Sequence, residues 1–161
     1  IGGHRLRQRL GLARQGLQVD AFDISAVGVA KARRLAALAG VTVDDAVADG
    51  DALAWPSEPY ALVAAIFIQF ADPPMRARLF AHMVDTLRPG GLLVLQGYRP
   101  EQLANKTGGP PRESHMYTEA LLRESFAGME ILELRSYEAE LTEGTQHRGR
   151  SALIGMVARK P

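Results

Sequence analysis

The stretch from Tyr60 to Phe70, Tyr-Ala-Leu-Val-Ala-Ala-Ile-Phe-Ile-Gln-Phe, is almost continuously apolar. A run of this length, rich in Ile, Val and Phe, is typical of a strand that is buried on both faces. Strands of this kind occur mainly in parallel sheets that helices cover on each side. We therefore predict a parallel strand here and expect the flanking sequence to supply the rest of its sheet.

On the amino-terminal side of this run, helical and strand patterns alternate. The predicted elements are a helix over residues 4–15, a strand over 18–23, a helix over 26–39 and a strand over 41–48. Ser25 can cap the second helix by accepting a hydrogen bond from a backbone N–H group. Val27 and Leu38 are expected to supply part of the apolar surface of that helix.

The alternation continues on the carboxyl-terminal side and then changes. The predicted elements are a helix from Asp72, a strand over 92–98, a long loop over 99–116, a helix from Thr118 and strands over 129–141 and 151–158. The turn Arg88-Pro89-Gly90-Gly91 precedes the strand at 92–98, and the long loop has few core residues. No helix fits in the polar connection 142–150, so the last two strands form an antiparallel hairpin. We predict an α/β fold: a Rossmann-like, doubly wound, mostly parallel sheet with helices on both faces and a carboxyl-terminal antiparallel hairpin.

The composition fits one globular domain over residues 1–161. Hydrophobic residues make up 47% of the chain, the net charge is +1 and cysteine is absent. Balanced charge argues against nucleic acid or a membrane surface as partner, and the basic run Arg5, Arg7 and Arg9 is expected to be a solvated helix face. Histidine spacing predicts no metal site, and no apolar run reaches the roughly 20 residues of a membrane span. We expect a cytoplasmic protein, and the abundant Ala and Arg favour a bacterial source.

Two acids end successive predicted strands. Asp23 closes the first strand, and a carboxylate there can accept hydrogen bonds from the hydroxyls of a ribose. Asp49 follows the next strand, where an acceptor can take the exocyclic amine of adenine, and Ile24 can pack on the purine. The alternatives are that Asp23 caps the following helix and that Asp49-Gly50 is a simple turn. The pair together favours a nucleoside site at the carboxyl ends of the strands.

Three motifs carry a family resemblance. The stretches Val19–Ser25, Val47–Leu53 and Leu87–Leu93 resemble, in this order, the second-strand, adenine-binding and pre-fifth-strand motifs of class I S-adenosylmethionine-dependent methyltransferases. The resemblance extends from Leu12 onward. Within that superfamily, Gln69-Phe70, Gly97-Tyr98, Gly108-Gly109-Pro110-Pro111 and Tyr117-Thr118 are similar to the bacterial branch of tellurite-resistance-like methyltransferases.

The resemblance implies S-adenosylmethionine as cofactor, S-adenosylhomocysteine as product and a small-molecule methyl acceptor. The cofactor-binding residues that it implies are Gly2, Asp23, Ile24, Asp49, Gly50, Ile66 and Phe67. Asp23 would hold the ribose, Asp49 and the Gly50 N–H group the adenine, and Ile66 and Phe67 the methionine side. Tyr98, His115 and Tyr117 are the candidate substrate residues, although aromatic packing under a loop is an equal alternative for the tyrosines. No catalytic residue is expected, because methyl transfer depends mainly on positioning.

The family's glycine-rich cofactor loop departs from its usual pattern in this chain. Gly2 falls on the first glycine position of the Gly-x-Gly-x-Gly motif, but His4 and Leu6 fall on the second and third. Glycine at these positions lets the backbone approach the methionine moiety without a Cβ clash. The first strand of the fold would precede Ile1, and we expect it to be missing. Three explanations are open: the chain is a fragment, the gene carries a frameshift or rearrangement, or the protein is a divergent member of the family. Cofactor binding is therefore expected to be weaker than in the family.

Three functions follow from these patterns. The leading one is methyl transfer to a small molecule, since no separate substrate-recognition domain accompanies the predicted sheet. A degenerate, non-catalytic methyltransferase-like domain that acts as a binding partner is an alternative from a different class. A nucleotide-dependent oxidoreductase of Rossmann type is a weaker alternative, because the Pro-Gly-Gly turn and the hairpin argue against it. A homodimer is an open alternative to a monomer.

Overall fold

The computed structural model describes residues 3–51, 53, 55, 60–143 and 147–161. The chain divides into two compact units, Ile1–Ala54 and Trp55–Pro161. The expectation of one domain over residues 1–161 stays a prediction, as does the missing first strand.

The first unit is a strand–helix–strand arrangement preceded by a helix. Its elements are α1 (Gly3–Arg14), β1 (Asp20–Asp23), α2 (Ala26–Leu38) and β2 (Asp44–Val47). β1 and β2 pair in parallel, with Asp20 opposite Asp44 and Asp23 opposite Val47. The Ser25 side chain accepts a hydrogen bond from the Gly28 N–H group at 3.0 Å, so the predicted helix cap is confirmed.

The buried face of α2 differs from the predicted one. Val27 and Leu38 are 81% and 76% exposed, whereas Val29, Ala32 and Ala36 are buried. Residues three and four apart lie on one helix face, so positions 29, 32 and 36 form a stripe of small side chains. The expectation for Val27 and Leu38 is therefore wrong: the helix packs through the face that carries Val29, Ala32 and Ala36, and it leaves these two side chains exposed.

The second unit contains a four-stranded sheet and three α-helices among its described residues. Its elements are β3 (Tyr60–Ile66), α3 (Pro73–Asp85), β4 (Leu87–Tyr98), α4 (Gln102–Asn105), a 3₁₀ helix (Glu113–His115), α5 (Glu119–Ser125), β5 (Glu130–Glu143) and β6 (His147–Arg159). The strand order is β3-β4-β6-β5. β3 and β4 are parallel, and β6 is antiparallel to both β4 and β5. The predicted antiparallel hairpin is confirmed.

The parallel pair of this sheet is less regular than the sequence predicts. β3 ends at Ile66 rather than at Phe70, because Phe67 has a positive φ of 51° and leaves the strand. The predicted turn at 88–91 lies inside β4 as an irregularity, since Tyr60 pairs with Leu87 and Leu62 already pairs with Leu92.

The hairpin strands are longer than predicted. β5 continues to Glu143 and β6 begins at His147, so the connection predicted at 142–150 is mostly strand. The strand pairing itself continues through this extension: Thr142 pairs with Arg148 and Glu143 with His147, and the Arg150 guanidinium hydrogen-bonds the Glu138 carboxylate. Residues 144–146 lie outside the described residues. A polar sequence can therefore continue a ribbon when its pairs complement each other.

The core of the second unit lies between the sheet and its helices. Its buried residues include Leu79, Phe80, Met83, Leu93, Leu95, Tyr117, Phe126, Ile154 and Met156. The Phe80 ring is 4.7 Å from the Phe126 ring and 5.8 Å from the Tyr117 ring. Aromatic contacts thus join α3 to the segment between the 3₁₀ helix and β5. Asp72 and Thr118 cap α3 and α5 through hydrogen bonds from the Met75 and Leu121 N–H groups, as the sequence predicts.

The end of α3 is held by Lys160, and its replacement by methionine is expected to cost about 1–2 kcal/mol of stability. The Lys160 Nζ donates to the carbonyls of Val84, Asp85 and Leu87 at 2.7, 3.3 and 2.7 Å. A cation at a helix carboxyl end satisfies carbonyls that have no partner within the helix. Urea unfolding monitored by circular dichroism measures the loss.

The adjacent Arg159 provides the control for this prediction. Its guanidinium pairs with Glu130 at 3.2 Å, and both side chains are about half exposed. An exposed pair of this kind contributes little, so Arg159→Met is expected to cost less than about 1 kcal/mol. Equal losses for the two variants would contradict the capping role of Lys160.

Candidate functional site

The two acids of the predicted nucleoside site lie at the same edge of the first unit. Asp23 is the last residue of β1 and is opposite Val47, the last residue of β2. The pairing continues one step further, since the Ala48 N–H group donates to the Asp23 carbonyl at 3.1 Å. Asp49 follows directly. The parallel register therefore places both acids at the carboxyl ends of neighbouring strands, as the sequence predicts.

The Asp23 carboxylate has two kinds of neighbour. Its Oδ1 accepts a hydrogen bond from the Ser25 N–H group at 3.0 Å, which is the turn geometry of the capping alternative. Its Oδ2 is 4.0 Å from Nη2 of Arg9, and the side chain is 17% exposed. Ile24, next in the chain, is 70% exposed, so an apolar surface adjoins the acid. The carboxylate is held in place while part of its surface stays open.

Asp49 forms a local turn. Its Oδ1 accepts a hydrogen bond from the Asp51 N–H group at 3.1 Å, and its side chain is exposed. Gly50, between them, is buried. The turn that the sequence offers as an alternative is present, and roles of Asp49 and Gly50 toward adenine stay predictions.

A buried charge network beneath these acids was missed by the sequence analysis. Arg9 donates from Nη1 to Asp45 Oδ1 at 2.5 Å and from Nη2 to the Phe22 carbonyl at 3.1 Å. Asp45 is 2% exposed, and the Arg33 guanidinium also donates to its backbone carbonyl. The expectation that Arg9 belongs to a solvated face is wrong, because this arginine reaches the acid inside β2. The sequence signal was the acid at an inward strand position.

In the second unit, Ile66 and Phe67 lie at the carboxyl end of β3. Ile66 is 7% exposed. Phe67 adopts a left-handed backbone conformation, with φ 51°, that few non-glycine residues take. Its ring packs on Tyr98 with the centroids 4.7 Å apart, and its N–H group donates to the Gln96 carbonyl at 2.8 Å. Strained residues of this kind occur preferentially where function requires them. Contact of both residues with the methionine side stays a prediction.

Gln69 connects the candidate substrate residues, and the sequence analysis gave it no site role. Its Nε2 donates to the carbonyls of Tyr98 and His115 at 2.8 and 3.1 Å. Its Oε1 accepts from the Tyr98 N–H group at 2.6 Å, and the residue is 4% exposed. The Tyr117 N–H group donates to the Tyr98 carbonyl at 3.0 Å. The buried Gln69 side chain thus joins the backbone of Tyr98 to that of His115, and the Tyr98 carbonyl in turn holds the backbone of Tyr117.

The tyrosines of this group are buried, with exposures of 3% for Tyr98 and 0% for Tyr117. The Tyr117 ring packs edge-on against Phe80, and Tyr98 packs against Phe67. These ring contacts match the alternative in which the two tyrosines serve as aromatic packing under a loop. His115 is half-buried and is therefore the most accessible of the three. The substrate roles of all three residues stay predictions.

The loop predicted over residues 99–116 is held in place by hydrogen bonds of polar side chains, although its sequence has few core residues. Gln102 is 0% exposed and donates from Nε2 to Thr107 Oγ1 at 2.9 Å and to the Gly108 carbonyl at 3.0 Å. Its Oε1 accepts from the Ala152 N–H group at 2.8 Å, and Thr107 Oγ1 donates to the Arg150 carbonyl at 2.7 Å. The loop is thereby attached to β6, because a polar side chain satisfies backbone groups that would otherwise lack partners.

The residues that fall on the second and third glycine positions of the family's cofactor loop are helical in this chain. α1 begins at Gly3, so His4 and Leu6 lie in a helix. Gly2 lies outside the described residues, and its cofactor role stays a prediction.

A cavity of the first unit lies apart from the acids of the predicted nucleoside site. A shallow cavity of about 630 Å³ is lined by Gly16, Val19, Gly40 and Asp44, among others, at the amino-terminal end of the β1–β2 pair, away from Asp23. Across the described ranges, no group of three or more His, Asp or Glu residues is placed to hold a metal ion. In the same part of the chain, no helix has the length and apolar character to cross a membrane.

Comparison with solved structures identifies the fold of this chain. The chain is similar to TehB from Haemophilus influenzae, with a TM-score of 0.78 and 19% identity over 96% of this chain and 54% of that chain. It is also similar to an S-adenosylmethionine-dependent methyltransferase from Methanosarcina mazei, with a TM-score of 0.75 and 18% identity over 94% and 85% of the two chains. The α/β fold is therefore the class I methyltransferase fold, and the fold prediction is confirmed.

The family follows from the sequence of the same region. Residues 6–91, just over half of the chain, match the methyltransferase domain family, and the chain belongs to this family. Its members use S-adenosylmethionine as methyl donor. The chain spans about half the length of TehB, 54%. No curated protein sequence matches it significantly.

A ligand-bound relative illustrates the cofactor. The N-methyltransferase NodS from Bradyrhizobium japonicum WM9, in complex with S-adenosylhomocysteine, aligns with a TM-score of 0.66 and 13% identity over 98% of this chain and 86% of that chain. The matched family region, 6–91, contains Asp23 and Asp49 and begins after Gly2 and His4. The family assignment favours methyl transfer over the oxidoreductase alternative.

Proposed function

We propose that this chain binds S-adenosylmethionine and takes part in transferring its methyl group to a small-molecule acceptor. The observation that carries the proposal is the parallel register of β1 and β2, which places Asp23, the last residue of β1, and Asp49, two residues after the end of β2, at one edge. Carboxylates at that edge suit the hydroxyls and exocyclic amine of an adenosine. The exposed Ile24 supplies an apolar surface beside them. These residues fit the adenosine moiety of the cofactor.

The residues of this chain would hold the cofactor and orient it toward the methyl acceptor. When bound, S-adenosylmethionine would supply a methyl group activated by its positively charged sulfur, with a neutral thioether as the leaving group. Asp23 is preorganised for ribose by the Ser25 N–H group, so little orientational freedom is lost on binding. Ile66 and Phe67 are expected to contact the methionine side. Placing the reactants correctly accounts for most of the acceleration in reactions of this type.

Several finer expectations accompany this proposal. The net charge of +1 favours a small acceptor over a nucleic acid, whose phosphates require clustered basic residues. We further propose that the protein is cytoplasmic and of bacterial origin. For its oligomeric state, a homodimer is the alternative to a monomer.

A second function is favoured by a specific observation. His4 and Leu6 lie in α1, where the family pattern has glycines in an open loop. A domain with this change would bind the cofactor weakly and act as a binding partner rather than as an enzyme. The two functions differ in turnover, so they can be separated by the experiments below.

Replacing Asp23 by alanine is expected to raise the Kd for S-adenosylhomocysteine about 10–100-fold. The reason is the loss of a charged hydrogen-bond acceptor, which contributes about 1.5–3 kcal/mol. Isothermal titration calorimetry with S-adenosylmethionine and S-adenosylhomocysteine measures the change. Asp44→Ala is the matched control, because Asp44 is an exposed acid at the opposite end of β2.

The outcomes of this titration separate the alternatives. If neither S-adenosylmethionine nor S-adenosylhomocysteine gave a heat of binding, the proposed function would be wrong. A heat of binding with NAD instead would favour the oxidoreductase. Binding without methyl transfer from deuteriomethyl-labelled S-adenosylmethionine to any component of a bacterial small-molecule extract would favour the non-catalytic domain. If Asp44→Ala raised the Kd for S-adenosylhomocysteine as much as Asp23→Ala does, Asp23 would not be a cofactor-binding residue.

A further inference from the structure

The ring of His115 has a defined proton position. Its Nδ1 lies 3.1 Å from the backbone carbonyl oxygen of Gln69. A carbonyl oxygen only accepts hydrogen bonds, so Nδ1 is the nitrogen that carries the proton. In the neutral imidazole, Nε2 then has a free lone pair and is an acceptor. The geometry therefore selects one tautomer of this histidine.

The histidine is held at more than one point. The Gln69 side chain donates to the His115 carbonyl at 3.1 Å, while the Gln69 carbonyl accepts from the ring. From α3, the Arg76 guanidinium donates from Nη1 to the Ser114 carbonyl at 2.7 Å. Gln69 is itself fixed by both backbone groups of Tyr98. Backbone and ring are thus oriented together, as the arrangement of a catalytic base requires.

The position in the fold is also that of a ligand site. Gln69 follows the carboxyl end of β3 by three residues, and Tyr98 is the last residue of β4. Ligands of open α/β sheets bind outside the carboxyl ends of the strands. His115 is half-buried there, whereas Gln69 and Tyr98 are 4% and 3% exposed. Of these three side chains, His115 therefore offers most surface to a ligand.

We propose that Nε2 of His115 is the proton acceptor for a small-molecule substrate whose nucleophile is a hydroxyl group. This inference rests on the proposed function. The O–H bond of the substrate breaks, its electron pair remains on oxygen for attack on the methyl carbon, and an Nε2–H bond forms. The resulting imidazolium keeps its Nδ1–H on the Gln69 carbonyl and later releases the new proton to water. A hydroxyl requires such a base because it is a weak nucleophile while protonated.

The tautomer can be tested without substrate or cofactor. In protein labelled with nitrogen-15 histidine, long-range proton–nitrogen correlation spectra distinguish the two neutral tautomers, and His115→Gln identifies the signal. We expect the Nδ1–H form at alkaline pH. Gln69→Ala, which removes the side-chain anchor, is expected to give a mixture. Observation of the Nε2–H form in the unaltered protein would overturn the proposal.

The catalytic role is tested by methyl transfer from deuteriomethyl-labelled S-adenosylmethionine to a bacterial small-molecule extract. His115→Gln is expected to lower the rate at least about 100-fold, with the Kd for S-adenosylhomocysteine changed less than about twofold. His82→Gln is the control, because His82 lies on the exposed face of α3 and stacks on Trp55.

The outcomes separate this inference from the function on which it rests. If His115→Gln transfers methyl groups as fast as the unaltered protein, the proposal for His115 fails and the proposed function stands. If the protein transferred methyl groups only to amines or thiols, the proposal that the substrate's nucleophile is a hydroxyl group would also fail. If the unaltered protein binds S-adenosylhomocysteine and transfers nothing, both proposals fail.

Discussion

Replacing Arg9 by alanine is expected to destabilise the protein by about 3–5 kcal/mol, because it leaves the Asp45 carboxylate buried without its partner. The side chains of Arg9 and Asp45 are 13% and 1% exposed, and their closest atoms are 2.5 Å apart. A buried charge costs far more free energy when unpaired than the pair contributes when intact. Arg9 also donates to the Phe22 carbonyl, one residue before Asp23. Urea unfolding measures the loss of stability.

Two further variants make this prediction specific. Arg14→Ala removes an exposed arginine from the same helix and is expected to change stability by no more than about 0.5 kcal/mol. The double variant Arg9→Met/Asp45→Leu removes both charges and is expected to recover at least half of the loss, since apolar replacements of buried pairs are tolerated. If Arg9→Ala costs no more than Arg14→Ala, the pair contributes little to stability.

Replacing Gly97 by alanine is expected to cost about 3 kcal/mol, through overpacking in the core of the second unit. A Cβ at this position would lie 2.7 Å from Cδ2 and 2.8 Å from Cε2 of Tyr117, and 2.9 Å from Oε1 of Gln69. Neither neighbour can move freely: Tyr117 is fully buried, and Gln69 Oε1 accepts the Tyr98 N–H group. The altered chain must therefore shift the aromatic ring or break the Gln69 hydrogen bonds.

Gly128→Ala is the matched control for this crowding. A Cβ there would meet no atom within 4 Å, and φ of Gly128 is not in the left-handed region. Alanine restricts the unfolded chain more than glycine does, so this change is expected to be neutral or to stabilise by up to about 1 kcal/mol. Thermal unfolding of both variants checks the contrast. A Tm for Gly97→Ala equal to that of Gly128→Ala would show that the core relaxes without cost.

The elements and the acids at the strand ends could be predicted from sequence, whereas the partners of buried polar groups could not. Ser25, Asp72 and Thr118 cap their helices as predicted. Asp23 ends β1 and Asp49 follows the end of β2 by two residues, so both acids lie at the carboxyl ends of neighbouring parallel strands, also as predicted. These features depend on residues within one turn or one strand, where spacing and side-chain chemistry decide the outcome.

The predictions that failed concern which surface is buried and how far a pairing extends. Leu38 has the apolar character of a core residue, yet α2 packs through Val29, Ala32 and Ala36. A helix sequence with apolar residues on two faces leaves this choice to the neighbouring strands. The hairpin extends beyond its predicted ends because the backbone pairing of β5 and β6 continues through the polar residues to Glu143 and His147.

By itself, the sequence determined the alternation of strands and helices, the antiparallel hairpin, the methyltransferase family and the acids expected to bind adenosine. Only the tertiary structure decided that Arg9 reaches Asp45, 36 residues away, and that Gln69 joins His115, 46 residues away. Local signals come from contacts within a few residues, which composition and spacing reveal. Long-range polar pairs depend on strand register and on which groups become desolvated together, and both are fixed only when the chain has packed.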